Sequence, residues 1–91
     1  MLAMELKPVY DRAKSFYGKA QVETINGETI LKSYNTYVCL VDRDGKFKRL
    51  WPGYSVTTQR HINEFIRQQG IDGGGAAWWR SLPVEKLNIN N

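Results

Sequence analysis

The middle of the chain is a series of short runs in which apolar and polar positions alternate. Lys19–Ile25 (KAQVETI) and Glu28–Tyr34 (ETILKSY) flank the dipeptide Asn26-Gly27. Asn-Gly between two such runs predicts a β-hairpin, because a type I′ turn needs positive φ at both central residues. Thr36–Asp42 (TYVCLVD) and Lys46–Trp51 (KFKRLW) flank Asp44-Gly45 and predict a second hairpin for the same reason. Thr36–Asp42 is apolar in both alternating sets, with Val38 and Leu40 in one and Tyr37, Cys39 and Val41 in the other. That is the pattern of a strand covered on both faces, and so central in its sheet. Lys46–Trp51 places Phe47, Arg49 and Trp51 on one face and Lys46, Lys48 and Leu50 on the other. It reads as an edge strand whose lysines discourage further pairing.

After Trp51 the period changes. Pro52-Gly53 suits the centre of a type II turn. Ile62, Phe65, Ile66 and Gln69 then recur at helical spacing and predict a helix over Gln59–Gln69, with Thr57 or Thr58 as its N-cap and Gly70 as its C′ residue. Gly73-Gly74-Gly75 reads as a flexible link. WWRSLPVEKL predicts a short last helix with Ser81 near its cap and Pro83 in its first turn. Asn88–Asn91 (NINN) reads as a frayed tail. Ahead of the sheet, LKPVYDRAKSFYG is interrupted by Pro8 and reads as a loop plus the start of a strand. These elements predict an α+β fold: a small four-stranded antiparallel sheet of two hairpins, one main helix packed on it, and a short C-terminal helix. The whole is expected to be a single domain, with a sheet-plus-helix core over residues 10–70 and a glycine link with a C-terminal segment over 71–91.

Composition changes this picture little. The 91 residues are 42% hydrophobic and 24% charged, as in globular domains. A lone cysteine, Cys39, cannot form an internal disulfide and reads as a small buried hydrophobe. No run approaches the roughly 20 apolar residues of a membrane span, and MLAMELK lacks the plan of a signal peptide, so a cytoplasmic protein is expected. The net charge of +4 is a mild excess that favours encounter with polyanions or an acidic protein face.

Candidate chemistry begins with His61, the only histidine. Nucleophilic catalysis needs a serine or cysteine in reach and a carboxylate to orient the ring, and no G-x-S-x-G elbow is present. A zinc site needs further ligands, and there is one cysteine and one histidine. The simpler reading is a boundary residue stacked with Phe65. Thr57, Thr58 and Arg60 suit an anion at a helix N-terminus. The simpler reading there puts Arg60, Glu64 and Arg67 on a solvent face, where Glu64 pairs with both arginines. Arg43, Lys46, Lys48 and Arg49 surround the second hairpin beside Phe47, Trp51 and Tyr54, and charges interleaved with rings are what single-stranded nucleic acid requires. Asp42 and Asp44 dilute that cluster, and Lys7, Arg12, Lys14 and Lys19 form a second basic group. Trp78 and Trp79 either anchor a partner or fold back over the sheet. No nucleotide-binding glycine loop occurs, and no cofactor or metal is expected.

Leu31, Ser33, Tyr34, Asn35, Thr36 and Val38, followed by Tyr54, Ser55, Thr57, Thr58, Arg60, His61, Ile62, Glu64 and Phe65, form a pattern, LxSYNTxV…YSxTTxRHIxEF. The pattern resembles a family of small uncharacterised proteins of phages, prophages and plasmids of Gram-positive bacteria. The resemblance spans about Tyr10 to Gly70. It implies a mobile-element accessory protein, and such proteins often block host defences, CRISPR systems included, by binding. A non-enzymatic inhibitor of a host protein or ribonucleoprotein complex, such as a CRISPR effector, is therefore expected. Its contact residues would be Arg43, Lys46, Lys48, Arg49, Trp51, Tyr54, Arg60 and Arg67. The alternative is a small nucleic-acid-binding regulator of phage or plasmid origin.

Overall fold

A computed structural model of the protein describes residues 2–87, so the expected tail at Asn88–Asn91 lies outside the described residues. One antiparallel sheet holds five strands in chain order: β1 (Leu2–Glu5), β2 (Ala20–Ile25), β3 (Glu28–Ser33), β4 (Thr36–Val41) and β5 (Phe47–Arg49). Helix α1 (Val56–Gln69) packs on one face, and a short helix α2 (Ala76–Ser81) follows. The α+β class is as the sequence predicts, but the sheet has five strands where the pattern predicts four. The additional strand, β1, pairs with β2 from Leu2↔Thr24 to Glu5↔Gln21. All four of its residues are exposed, so burial imposes no alternation for a sequence reading to detect.

The first hairpin is as expected, since Asn26 and Gly27 have φ of 53° and 81°, both left-handed. The second is built differently. Gly45 alone is left-handed, at 83°, and its N–H donates to the Asp42 carbonyl at 3.0 Å, while Asp42 N–H donates to the Lys46 carbonyl at 2.9 Å. This matches a type I turn closed by a glycine bulge, a longer loop than Asp44-Gly45 alone predicts. The Asp42 carboxylate supports it by accepting from Asp44 and Lys46 N–H.

Strand β4 lies between β3 and β5, as its double apolar pattern requires, but its alternation is broken. Leu31 pairs with Cys39 and Lys32 with Tyr37, which leaves Val38 as an extra residue. The bulge turns Val38 and Cys39 toward α1 together, where alternation alone would separate them. They meet Leu31, Val41, Ile62, Phe65, Ile66 and Trp79 in the core. On the outer face Ile30 pairs with Leu40, both buried, beside Glu23, which accepts from the Tyr37 hydroxyl at 2.6 Å.

Helix α1 begins three residues earlier than predicted. Ser55 is the cap, with extended backbone and an Oγ that accepts from Thr58 N–H at 3.1 Å. Thr57 and Thr58 are inside the first turn. Gly70 ends the helix at φ 73°, and Ile71 N–H returns to the Ile66 carbonyl, as in a Schellman close. Gln69, placed on the buried stripe by spacing, is exposed.

Helix α2 ends at Ser81 where a helix was expected to begin. Pro83 bars helical backbone from the residue before it, and Leu82 is extended at φ −84°, ψ 142°. The glycines ahead of α2 make a fitted crossing. Trp78 lies where a Gly73 Cβ would stand, and Gly75 N–H donates to Asn63 Oδ1 at 3.1 Å. Trp79 is fully buried at 0% exposure, and its indole N–H donates to the Gly53 carbonyl at 2.9 Å. One of the two tryptophans thus closes the core, as the fold-back reading requires. Beyond α2, Val84 bridges to Arg49 and Glu85 N–H bonds the Arg49 carbonyl, so part of the β5 edge is occupied. Among the described residues no helix is long and apolar enough to cross a membrane.

The cap position gives a direct test. Ser55→Ala should lower unfolding free energy in urea by about 1 kcal/mol, and Thr57→Ala, at an exposed first-turn position, should leave it within about 0.5 kcal/mol.

Candidate binding cleft

The residues with the most chemistry sit on α1, and the fold uses nearly all of them. His61 is 2% exposed, and its Nδ1 is 2.9 Å from Ser33 Oγ at the end of β3. The same Oγ lies 3.0 Å from Thr58 Oγ1. Phe16 meets the imidazole edge-on at 4.7 Å between ring centroids, and Tyr34 flanks it at 5.9 Å. The imidazole therefore has a hydroxyl partner and aromatic walls, and no carboxylate orients it. Desolvation lowers its pKa, as do the Arg60 and Lys19 charges, against Asp11.

Glu64 is also buried, at 2% exposure. Its oxygens accept from the backbone N–H of Val9, Tyr10 and Asp11 at 3.0, 2.9 and 2.8 Å, and from Gln68 Nε2. Burial pushes the carboxyl pKa up, but the hydrogen bonds from Gln68 and the three amides outweigh it and hold it below its usual value. The expected solvent face is thus corrected at Glu64, while Arg60 and Arg67 are exposed as expected. Glu64 points inward, Arg60 pairs with Asp11 through Nε at 3.1 Å, and the Arg67 guanidinium covers the Tyr10 ring at 5.5 Å. The segment between β1 and β2 lies against both arginines, which remain exposed to solvent.

The basic second hairpin divides as well. Arg49 is 7% exposed and donates to four carbonyls: Trp51, Pro52, Trp79 and Leu82, at 2.9 to 3.1 Å. Its guanidinium also stacks 4.8 Å from the Trp79 ring centroid. It fastens α2 and the Trp51-Pro52 corner to β5 and is not available to a partner, which corrects its expected role. Sequence alone cannot distinguish this arginine from its neighbours, because two of its four acceptors are backbone carbonyls about 30 residues away, at Trp79 and Leu82. Lys48 pairs with Asp42 at 3.7 Å, Arg43 lies over Gly27 in the first hairpin turn, and Lys46 is exposed. Arg60 and Arg67 stand against the segment that follows β1, at the other end of the strand order from β5.

Trp51 and Tyr54 come together with residues outside the expected contact set. With Ser33, Tyr34, Thr36, Val38, Ser55 and Thr58 they line a cleft of about 260 Å3 between the β3–β4 turn and the start of α1. No lining residue is charged. Tyr34 holds a left-handed φ of 57°, uncommon for a bulky side chain, and its N–H donates to the Lys19 carbonyl at 2.6 Å. Lys19 Nζ lies 5.7 Å from the Tyr34 ring, and the Arg80 guanidinium 4.4 Å from the Tyr54 ring. A second, polar cleft lies between Tyr10, Asp11, Asn63, Glu64 and Arg67. Among the described residues no group of three or more His, Cys, Asp or Glu side chains could hold a metal ion.

Fold and site together define a small α+β protein whose polar helix residues hold its segments together and whose aromatic cleft opens to solvent. The chain belongs to a family of unknown function, DUF8033, whose sequence model matches residues 4–81. The match extends from within β1 to the end of α2, so it includes Gly73–Gly75 and both C-terminal tryptophans. No match was found among curated proteins or solved structures.

The buried imidazole makes stability pH-dependent. Its folded pKa lies below the ordinary 6.5, so its contribution is complete above about pH 6.5 and is lost as pH falls from there through the folded value. Urea unfolding should show wild-type stability level at the higher pH and declining as pH is lowered below about 6.5, by no more than about 1.4 kcal/mol per pH unit for one proton. His61→Gln should be less stable at the higher pH, and its deficit should narrow at the lower.

Proposed function

We propose that the protein is a non-enzymatic accessory protein of a mobile genetic element. It acts in the bacterial cytoplasm by binding and inhibiting a host defence complex, such as a CRISPR effector. The observation that carries this reading is the division of side chains between interior and surface. Ser33, Thr58, His61 and Glu64, the groups a catalyst would draw on, are buried and hydrogen-bonded to one another or to backbone. The surface offers rings instead: Tyr10, Tyr17 and Tyr34 are exposed, and Trp51 and Tyr54 are half-buried in the cleft. Exposed tyrosine and tryptophan are what protein interfaces concentrate at their hot spots. A net charge of +4 assists encounter with an acidic partner face. The contact residues are Trp51 and Tyr54 at the cleft, with Arg43, Lys46 and Lys48 around the second hairpin at the other end of β4. Arg60 and Arg67 belong to a separate face beside Tyr10.

A second reading is a small nucleic-acid-binding regulator. The cations at Tyr34 and Tyr54 favour it, because charge beside stacking rings suits single strands.

Tagged protein expressed in a host carrying an active CRISPR system should co-purify with a defence complex and reduce interference against a targeted plasmid. Trp51→Ala with Tyr54→Ala should weaken both effects by about tenfold or more, the scale of one interface hot spot. Unchanged interference, with no defence component captured from nuclease-treated lysate, would overturn the first reading.

A further inference from the structure

We propose that the cleft between the β3–β4 turn and the start of α1 is a site for one unstacked base of a single-stranded nucleic acid. The inference deepens the second reading above and rests on it for its biological setting. Its test needs only the purified chain, so its failure leaves the host-complex reading standing.

The walls come first. Tyr34, Trp51 and Tyr54 supply rings, and buried Val38 adds apolar surface. Every base has a π-face, so such walls accept bases with little regard to sequence. Thr36 and Ser55 add hydroxyls that can donate to or accept from a base edge. At about 260 Å3 the cleft is smaller than the roughly 300–1,000 Å3 of pockets that enclose whole drug-sized ligands. It suits one planar ring system with the rest of its chain left outside.

Charge supplies the second argument. A base arrives with phosphates on either side, and the lining has no carboxylate to repel them. Lys32, Lys48 and Arg60 are tied to Glu23, Asp42 and Asp11. Lys19 and Arg80 are exposed, and among the described residues neither forms an ion pair. These are the two cations held against cleft rings, at Tyr34 and Tyr54. The third argument is strain. Tyr34 keeps a left-handed backbone that a bulky residue rarely adopts, in the turn that brings its ring to the cleft. Strain of this kind concentrates at binding sites. A base inside a duplex has both faces stacked and cannot enter, so single strands are the required form.

The test is fluorescence anisotropy with labelled ten-nucleotide RNA and DNA of mixed sequence, as single strands and as duplexes, at two salt concentrations. Single strands should bind, and duplexes should bind more weakly. Tyr54→Ala and Trp51→Ala should each weaken single-strand binding by at least about fivefold, the least that losing one base–ring stack gives. Lys19→Gln and Arg80→Gln should each reduce the slope of log affinity against log salt by about 0.7, the value for one phosphate contact on a single strand. Both alter exposed side chains, so the test survives if a ring variant fails to fold. The proposal is overturned if no oligonucleotide binds at low salt, if duplex binds as well as single strand, or if binding ignores both the ring and the cation substitutions. It is also overturned if folded ring variants lose a protein partner from nuclease-treated lysate while the purified chain binds no oligonucleotide. In that case the cleft is a protein-docking site.

Discussion

A carboxylate removed from water must recover its hydrogen bonds from the protein, and Glu64 recovers four. Three come from consecutive backbone amides, Val9, Tyr10 and Asp11, more than fifty residues earlier in the chain, and the fourth from Gln68. Consecutive N–H groups converging on one anion form the concave arrangement that elsewhere holds phosphate. Here the anion belongs to the protein's own helix. The bonds fix the path from β1 to β2 across α1, which allows Leu6 and Phe16 to enter the core. Phe16 in turn walls the imidazole of His61. Removing the carboxylate would release three amides at once and with them the hold of α1 on the segment between β1 and β2.

The same helix turns a second polar edge toward the sheet. Ser33, Thr58 and His61 join the end of β3 to the first turns of α1, and a hydrophobic stripe alone would not fix this register. Apolar contacts at Ile62, Phe65 and Ile66 supply cohesion without direction. The hydroxyl–imidazole contacts and the Glu64 carboxylate supply direction. Much of the YSxTTxRHIxEF pattern therefore has a structural account: Ser55 caps, Thr58 and His61 reach Ser33, Arg60 meets Asp11, Glu64 holds the first loop, and Ile62 and Phe65 fill the core. With these groups committed inside, the cleft rings and the cations at their edges are the open chemistry of the surface.

How much of this was legible in the sequence depended on the range of the interaction. Asn26-Gly27, the Ile62/Phe65/Ile66 stripe and the Gly70 stop are local devices, and each stands where its residues predict. Strand β1 escaped because an exposed edge strand has no periodic burial. The Val38 bulge escaped because one extra residue mimics a strand that is apolar on both sides. Arg49 and Glu64 look like surface charges in the sequence, since the carbonyls of Trp79 and Leu82 that hold the one, and the amides that hold the other, lie about 30 and 55 residues away. The cleft was half visible, through Trp51 and Tyr54. Tyr34 completes it from a left-handed turn that its own identity argues against.

Native-state hydrogen exchange at the amides of Val9, Tyr10 and Asp11 tests the central role of Glu64 most directly. The loop lies outside every helix and strand, and the hydrogen bonds of these three amides go to the Glu64 carboxylate and to no backbone carbonyl. The account predicts exchange slowed by at least about tenfold relative to an unstructured peptide, with protection lost together at all three amides as pH is lowered far enough to protonate Glu64. Exchange at unstructured-peptide rates at neutral pH, while the α1 amides remain protected, would contradict it.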